Sequence, residues 1–140
     1  MTEPARTTKF KLKKMLPTLM VEDVQASIEF YKTALNFKLT KTIPDTEPFD
    51  WVEMKSGPIQ IALQPQSVME FDIPEMQGLK TGSTLEFRVK VDNIDALYAQ
   101  VKDQVEISQD IQTFYPDTRE FRIRDCNGYF WVFEGKTISS

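Results

Sequence analysis

The sequence predicts an α+β fold made of two similar βαβββ modules, which form a curved mixed sheet with helices on its convex face and a concave cleft on the other. The helical segment VEDVQASIEFYKTALNF begins at Val21, and a weaker copy, VDNIDALYAQV, begins at Val91, half of the 140-residue chain later. Three short extended segments follow each helix. Since a single module would leave one face of its sheet uncovered, pairing two modules in one domain solves the burial problem.

The first module is predicted over residues 15–64. LPTLMV reads as a half-buried strand, and Asp23 after it is a suitable N-cap because its carboxylate can accept hydrogen bonds from the first helical turn. Asn36 tolerates the left-handed conformation in which many helices end. The apolar stripe of the helix consists of Val24, Ile28, Tyr31 and Leu35. Strands are then predicted over residues 38–43, 51–55 and 59–64.

The second module, over residues 84–136, follows the same order. Apolar and charged residues alternate before Asn93, which replaces Asp23 as the predicted helix cap. The helical stripe is rebuilt by Ile94, Leu97 and Val101. Strands are predicted over residues 106–114, 120–124 and 129–134. Residues 65–83, rich in proline and glycine, are predicted to be the linker between the modules, with a basic arm at 1–14 and a tail at 137–140.

The charge distribution argues against nucleic-acid and membrane partners. The formal net charge is −4, and the basic arm leaves the rest of the chain more acidic still. An acidic surface repels phosphate backbones, so we expect no nucleic-acid partner. No apolar run approaches the roughly 18 residues that a membrane helix needs, so we expect no membrane partner either. The arm lacks the apolar region of a secretory signal, so we expect it to remain attached.

The counts of cysteine and histidine restrict the chemistry further. Cys126 is the single cysteine, so no internal disulfide can form, which fits a cytoplasmic location. The chain contains no histidine. This excludes nucleophilic triads with a histidine base and every metal site that requires an imidazole ligand.

Three segments carry a resemblance to a known family: LMVEDVQASIEFYKTALNF, VKVDNIDAL and DCNGYFWVFE. Together they resemble the vicinal oxygen chelate superfamily, which includes glyoxalase I, extradiol dioxygenases, fosfomycin resistance proteins and bleomycin resistance proteins. The resemblance spans approximately residues 15–136 and implies the paired-module fold. It does not by itself imply one function, because the family uses the same fold for several activities.

The resemblance also implies where a metal would be bound in members that use one. Those positions fall on Leu16, on Glu86, on Val132, and on Gln60 or Ala62. Leucine and valine cannot ligate a metal, and so few ligands hold a divalent ion poorly, so we expect no metal and no cofactor. An all-oxygen site formed by Glu86, Gln60 and Glu134 is the alternative.

Strand alternation predicts which side chains line the cleft. If Glu86 points inward, Arg88 and Lys90 point the same way, and the cleft becomes an apolar surface with a few convergent polar groups. Trp51 and Tyr115 are predicted ligand contacts at its mouth. The remaining predicted ligand-binding residues are Leu16, Thr18, Met20, Gln60, Gln64, Glu86, Arg88, Phe130, Val132 and Glu134. The alternative is that Glu86 and Arg88 form a purely structural ion pair.

The function that the resemblance implies is that of the bleomycin resistance proteins. We expect a metal-free protein that sequesters a small organic ligand, cationic and aromatic, in the cleft, with a homodimer implied by the family. The first alternative is an enzyme, a lyase, isomerase or dioxygenase, that uses Glu86 as a general base or an oxygen-ligated metal. The second is a scaffold or regulatory domain without a ligand. The sequence does not decide whether the modules pair within one chain or between two.

Overall fold

The computed structural model of the chain describes residues 9–82, 84–114 and 117–137. The first module contains one helix and four strands, namely β1 (Thr18–Val21), α1 (Val24–Leu35), β2 (Lys38–Ile43), β3 (Trp51–Ser56) and β4 (Ile59–Pro65). A short helix α2 (Gln66–Asp72) and a 3-10 turn (Pro74–Met76) follow. The second module contains β5 (Glu86–Lys90), α3 (Ile94–Val101), β6 (Glu106–Phe114), β7 (Thr118–Arg124) and β8 (Phe130–Lys136).

The strands within the described residues form two four-stranded sheets of identical topology. Sheet A has the order β1-β4-β3-β2 and sheet B the order β5-β8-β7-β6. In each sheet the first strand pairs in parallel with the last strand of its module, and the other pairings are antiparallel. The predicted α+β class and the repeated βαβββ unit are therefore confirmed, and each module contributes a separate mixed sheet.

The ends of both module helices form as their sequences predict. The Asp23 carboxylate accepts a hydrogen bond from the Ala26 amide at 3.0 Å, and Asn93 does the same for Ala96 at 3.0 Å. Asn36 ends α1 in the left-handed region with φ of 58°. Local residue chemistry therefore fixes the limits of these helices before any tertiary contact is considered.

One hydrophobic core is shared by both modules. Each sheet turns one face, here called its helix face, towards this core, where Leu19, Ile61 and Trp131 are almost fully buried. Tyr31 of α1 packs against Trp131 of β8, with ring centroids 5.8 Å apart. The opposite face of each sheet, here called its open face, therefore points outward from the shared core.

The segment predicted only as a linker also contains regular structure. The α2 helix follows β4 directly after Pro65, and Met69 on this helix is buried. We read Pro65 as a turn signal, but proline is also compatible with the start of a helix because its missing N–H would have no helical partner there. None of the helices in the described ranges is long and apolar enough to cross a membrane.

Candidate functional site

The open face of sheet B carries a network of charged side chains centred on Arg88. Its guanidinium group contacts Glu120 at 3.0 Å, Glu134 at 3.5 Å and Glu86 at 3.5 Å. Arg122 contacts the second oxygen of Glu86 at 3.6 Å. These five residues are called the Arg88 cluster below. The pKa of Arg88 is raised, first because the guanidinium donates to Glu120 and further because Glu134 and Glu86 are near, so Arg88 remains a cation.

The Arg88 cluster shows the surroundings of Glu86. The predicted ion pair between Glu86 and Arg88 exists, but the two side chains are 42% and 48% exposed rather than buried. Both Glu86 oxygens face guanidinium groups, one of Arg88 and one of Arg122. The carboxylate is therefore engaged by two cations.

The two apolar residues predicted on this face differ in accessibility. Val132 is fully buried beneath the longer side chains of the sheet, so its side chain cannot contact a ligand without their movement. Phe130 is half-buried, and the Arg124 guanidinium lies 5.0 Å from the centre of its ring. A flat ligand would have to displace this cation from the ring or extend beside it.

The open face of sheet A carries a smaller hydrogen-bonded group. Trp51 donates its indole N–H to Glu53 at 2.8 Å, and Gln60 donates to the other Glu53 oxygen at 3.2 Å. These three half-buried residues are called the Trp51 cluster below. Glu53 was not among the predicted site residues, although it lies two positions after Trp51 on the same strand and alternation would have placed it on this face.

The α2 helix covers part of the same face. Gln64 donates a hydrogen bond to Asp72 at the end of α2, at 3.3 Å, and α2 packs against β1 and β4. Met20 is 5% exposed and Gln64 is 8% exposed, although neither points into the shared core. These two predicted ligand contacts are therefore covered by the chain itself.

The remaining predicted residues lie at the margin of the site or outside the described part of the chain. Leu16 precedes β1, and its carbonyl oxygen accepts a hydrogen bond from the Thr18 hydroxyl at 3.3 Å. Both residues are half-buried. Tyr115 falls between the described ranges, so its predicted role as a ligand contact stays a prediction.

A cavity of about 570 Å³ lies elsewhere, between the two modules. Its walls come from the C-terminal end of α1, the turn between β3 and β4, the loop after β5, and α3. None of the predicted ligand-binding residues that fall within the described ranges lines it. Sequence reasoning missed this cavity because its walls are joined only when the modules pack together.

Comparison with known proteins identifies the family. The family model described as the Glyoxalase/Bleomycin resistance protein/Dioxygenase superfamily matches residues 14–133. The chain therefore belongs to this superfamily, and the resemblance found in the sequence is confirmed. The chain matches no curated protein.

Solved structures with the same fold include a glyoxalase/bleomycin resistance protein/dioxygenase from Nocardioides, which is 19% identical with a TM-score of 0.73 and coverage of 95% of this chain and 89% of the other. TioX from Micromonospora sp. ML1 is 17% identical with a TM-score of 0.68, and the match covers 91% of this chain and 99% of TioX. The fosfomycin resistance protein FosX from Mesorhizobium loti is 11% identical with a TM-score of 0.65, and the match covers 92% of this chain and 96% of FosX. At these identities the likeness shows the fold alone.

The residues at the family's metal positions do not fit a metal. The side chains of Leu16 and Val132 offer no metal-ligating atom, and both Glu86 oxygens are paired with arginine. The alternative oxygen set is divided, because Gln60 lies on sheet A whereas Glu86 and Glu134 lie on sheet B and both contact Arg88. Within residues 9–82, 84–114 and 117–137, no three acidic, cysteine or histidine side chains gather as a metal site would require.

Proposed function

We propose that this protein binds a small organic molecule on the open faces of its sheets, without a metal. The observation that supports this proposal is that each open face carries a cluster of polar side chains that hydrogen bonds hold in place on the sheet. The Trp51 cluster also offers an aromatic ring whose position is fixed by Glu53. Few polar groups fixed beside apolar surface are typical of small-molecule sites.

A complete site requires a second wall. Both helix faces share one core, so each open face is directed outward and forms only one side of a cleft. We therefore propose a homodimer in which the open face of sheet A in one chain lies opposite the open face of sheet B in its partner. The ligand would lie between the Trp51 cluster of one copy and the Arg88 cluster of the other.

The charges on the open faces are mixed, which favours an uncharged ligand over the cationic one expected from the acidic composition. In sheet A, the strand register places Lys41 beside Glu53 and Lys55 beside Gln60, and Asp72 of α2 accepts a hydrogen bond from Gln64 on the same side, so the two signs are balanced. In sheet B, Arg88 and Arg122 lie among the carboxylates of the Arg88 cluster. The negative charge of the chain is therefore not concentrated where the ligand would bind, and we propose an uncharged aromatic ligand with a hydrogen-bonding group.

The experiment is a thermal-shift screen with three matched sets of probes: aromatic carboxylates, their uncharged amides and the corresponding amines. A ligand at a hundred times its Kd adds about 2.7 kcal/mol to the free energy of unfolding, which corresponds to about 10 °C in Tm for a domain of this size. We expect the uncharged amides to produce the largest shift. Glu53→Ala should abolish it, because the indole and Gln60 lose their shared acceptor.

Glu29→Ala is the matched control, since it removes an exposed carboxylate from α1, away from both open faces. It should leave the shift unchanged. A shift that survives Glu53→Ala, or that only the amines produce, would contradict the proposed site or its charge preference. Sedimentation equilibrium tests the second wall: a protein that is monomeric while saturated with ligand excludes the two-chain cleft.

A further inference from the structure

We propose that the cavity between the two modules is a second ligand site, separate from the open faces, that accepts a flat, uncharged organic molecule. Its volume of about 570 Å³ falls within the roughly 300 to 1,000 Å³ usual for small-molecule pockets. The cavity lies on the helix side of the sheets, where the Trp51 cluster and the Arg88 cluster contribute no wall. Binding there is therefore independent of the function proposed above.

The floor of the cavity is aromatic. Trp131 and Phe133 on β8 both line it, and their rings are nearly parallel, 13° apart with centroids separated by 6.2 Å. Phe37 meets Trp131 edge-on at 6.2 Å, and Leu97 of α3 adds an aliphatic wall. Because Trp131, Phe133 and Phe37 are only 2%, 4% and 5% exposed, they form a rigid apolar floor that a flat molecule can lie against, and the burial of apolar area rather than full ring stacking would stabilise it.

The rim of the cavity is polar, and most of its polar groups are uncharged. Gln100 donates to the Ala34 carbonyl at 2.9 Å and to the Asn36 side chain at 3.1 Å, which fixes the orientation of its amide. Ser56 and Asn93 also line the cavity. These hydroxyl and amide groups can donate and accept hydrogen bonds, so they suit a ligand with both kinds of group at its edge.

The charged side chain at the rim is that of Asp92. Lys90 and Asp92 both line the cavity and both are exposed, but alternation along β5 turns the Lys90 side chain to the open face with Glu86 and Arg88. Asp92 repels an anionic ligand, and because water screens its charge a cation gains little there. The rim therefore favours an uncharged ligand.

The experiment uses the fluorescence of Trp131. The chain has two tryptophans, so Trp51→Phe leaves Trp131 as the only indole and at the same time disrupts the Trp51 cluster. The probes are benzamide and para-toluamide, neither of which contains an indole, with benzoate as the charged analogue of benzamide. We expect a saturable change in Trp131 emission with the amides and binding weaker by about tenfold with benzoate, because the aromatic floor and the rim favour the uncharged form.

Two alanines on α3 provide the matched variants. Ala96 lines the cavity and Ala99 does not, while both are exposed positions of the same helix. Ala96→Phe should fill the cavity and weaken binding of the amides by about tenfold or more, and Ala99→Phe should change it less than about twofold. Both variants should keep the circular dichroism spectrum of the parent protein.

The proposal is overturned by any of three results. The first is the absence of a saturable change with either amide at millimolar concentration. The second is equal affinity of Ala96→Phe and Ala99→Phe for the amides, which would place binding elsewhere. The third is a change of oligomeric state in Ala96→Phe without any effect of the amides, which would show that a second copy of the chain fills the cavity.

Discussion

Tyr31 on α1 donates its hydroxyl hydrogen to the carboxylate of Asp125, which lies 94 positions later in the second module. Both residues are buried. The same carboxylate accepts hydrogen bonds from the amides of Tyr129 at 2.8 Å and Asn127 at 2.9 Å, and from the indole of Trp131 at 3.3 Å. Asp125 therefore satisfies four donors in the interior and connects the first module to the turn before β8.

Removing the tyrosine hydroxyl should destabilise the junction between the modules. In Tyr31→Phe, Asp125 loses one of four donors, and we expect the free energy of unfolding to fall by about 1.5 to 3 kcal/mol, as is usual for a buried hydrogen bond to a charged group. Urea denaturation, monitored by circular dichroism, measures this loss in the free energy of unfolding. Tyr98→Phe is the control, because Tyr98 also donates to an aspartate, Asp110, but at the surface. Equal losses in the two variants would show that burial adds nothing.

The buried carboxylate also predicts a pH dependence of stability. Burial raises the pKa of Asp125 above its ordinary value of 3.8, although the hydrogen bonds from Tyr31 and the neighbouring amides oppose this shift. The folded state therefore binds the proton more tightly than the unfolded state. The stability that follows from the raised pKa of Asp125 is therefore fully present below pH 3.8, and it is lost as the pH rises through the pKa of the folded state.

Comparison with Asp125→Asn isolates this contribution, because the other carboxylates titrate in both proteins. We expect the stability of the parent protein relative to Asp125→Asn to decrease as the pH rises from about 3.5. Chemical denaturation at half-unit intervals between pH 3 and 7 provides the measurement. A difference that stays constant or increases with pH would mean that the folded pKa is not raised.

Gly82 should tolerate no side chain. It has a φ of +80°, and a Cβ atom there would lie 2.4 Å from the Gly128 carbonyl carbon and 2.6 Å from the Asn127 oxygen. We expect Gly82→Ala to cost about 1 to 2 kcal/mol for the positive φ and about 1 to 3 kcal/mol more for the clash with backbone atoms. Thermal denaturation reports the combined loss.

Gly78→Ala is the matched control for this substitution. Gly78 has a similar φ of +82°, and no atom lies within 4 Å of the position that a Cβ would occupy. It should therefore show the conformational cost without the clash. If the two variants lose the same stability, the close approach of Gly82 to the Asn127–Gly128 turn does not contribute.

Much of the secondary structure could be predicted because its signals are local. Asp23 and Asn36 set the two ends of α1 through their own side chains and backbone preferences, and both appear as predicted. Strand alternation correctly placed Glu86, Arg88 and Glu134 on one face of sheet B, where Arg88 contacts both acids. That these residues bind a ligand stays a prediction.

Other features of the candidate site were missed or incomplete. The sequence indicates the aromatic residue Trp51 but not its partner Glu53, because a position beside a turn suggests a ligand contact without showing which acceptor the indole N–H will meet. It gave no sign that α2 covers Met20 and Gln64, since the hydrogen bond between Gln64 and Asp72 depends on how the linker folds back on sheet A. Burial of a residue depends on what packs above it, and alternation only shows which side it faces.

The sequence by itself determined the two βαβββ modules, because caps, periodicity and turns act within a few residues, and its motifs carried the resemblance to the superfamily. Only the tertiary structure decided how the modules pack, which side chains remain accessible and where the cavity lies. Those features depend on contacts such as the one between Tyr31 and Asp125. Such long-range contacts form because both helix faces need the same core, and no local sequence pattern shows which residues will meet there.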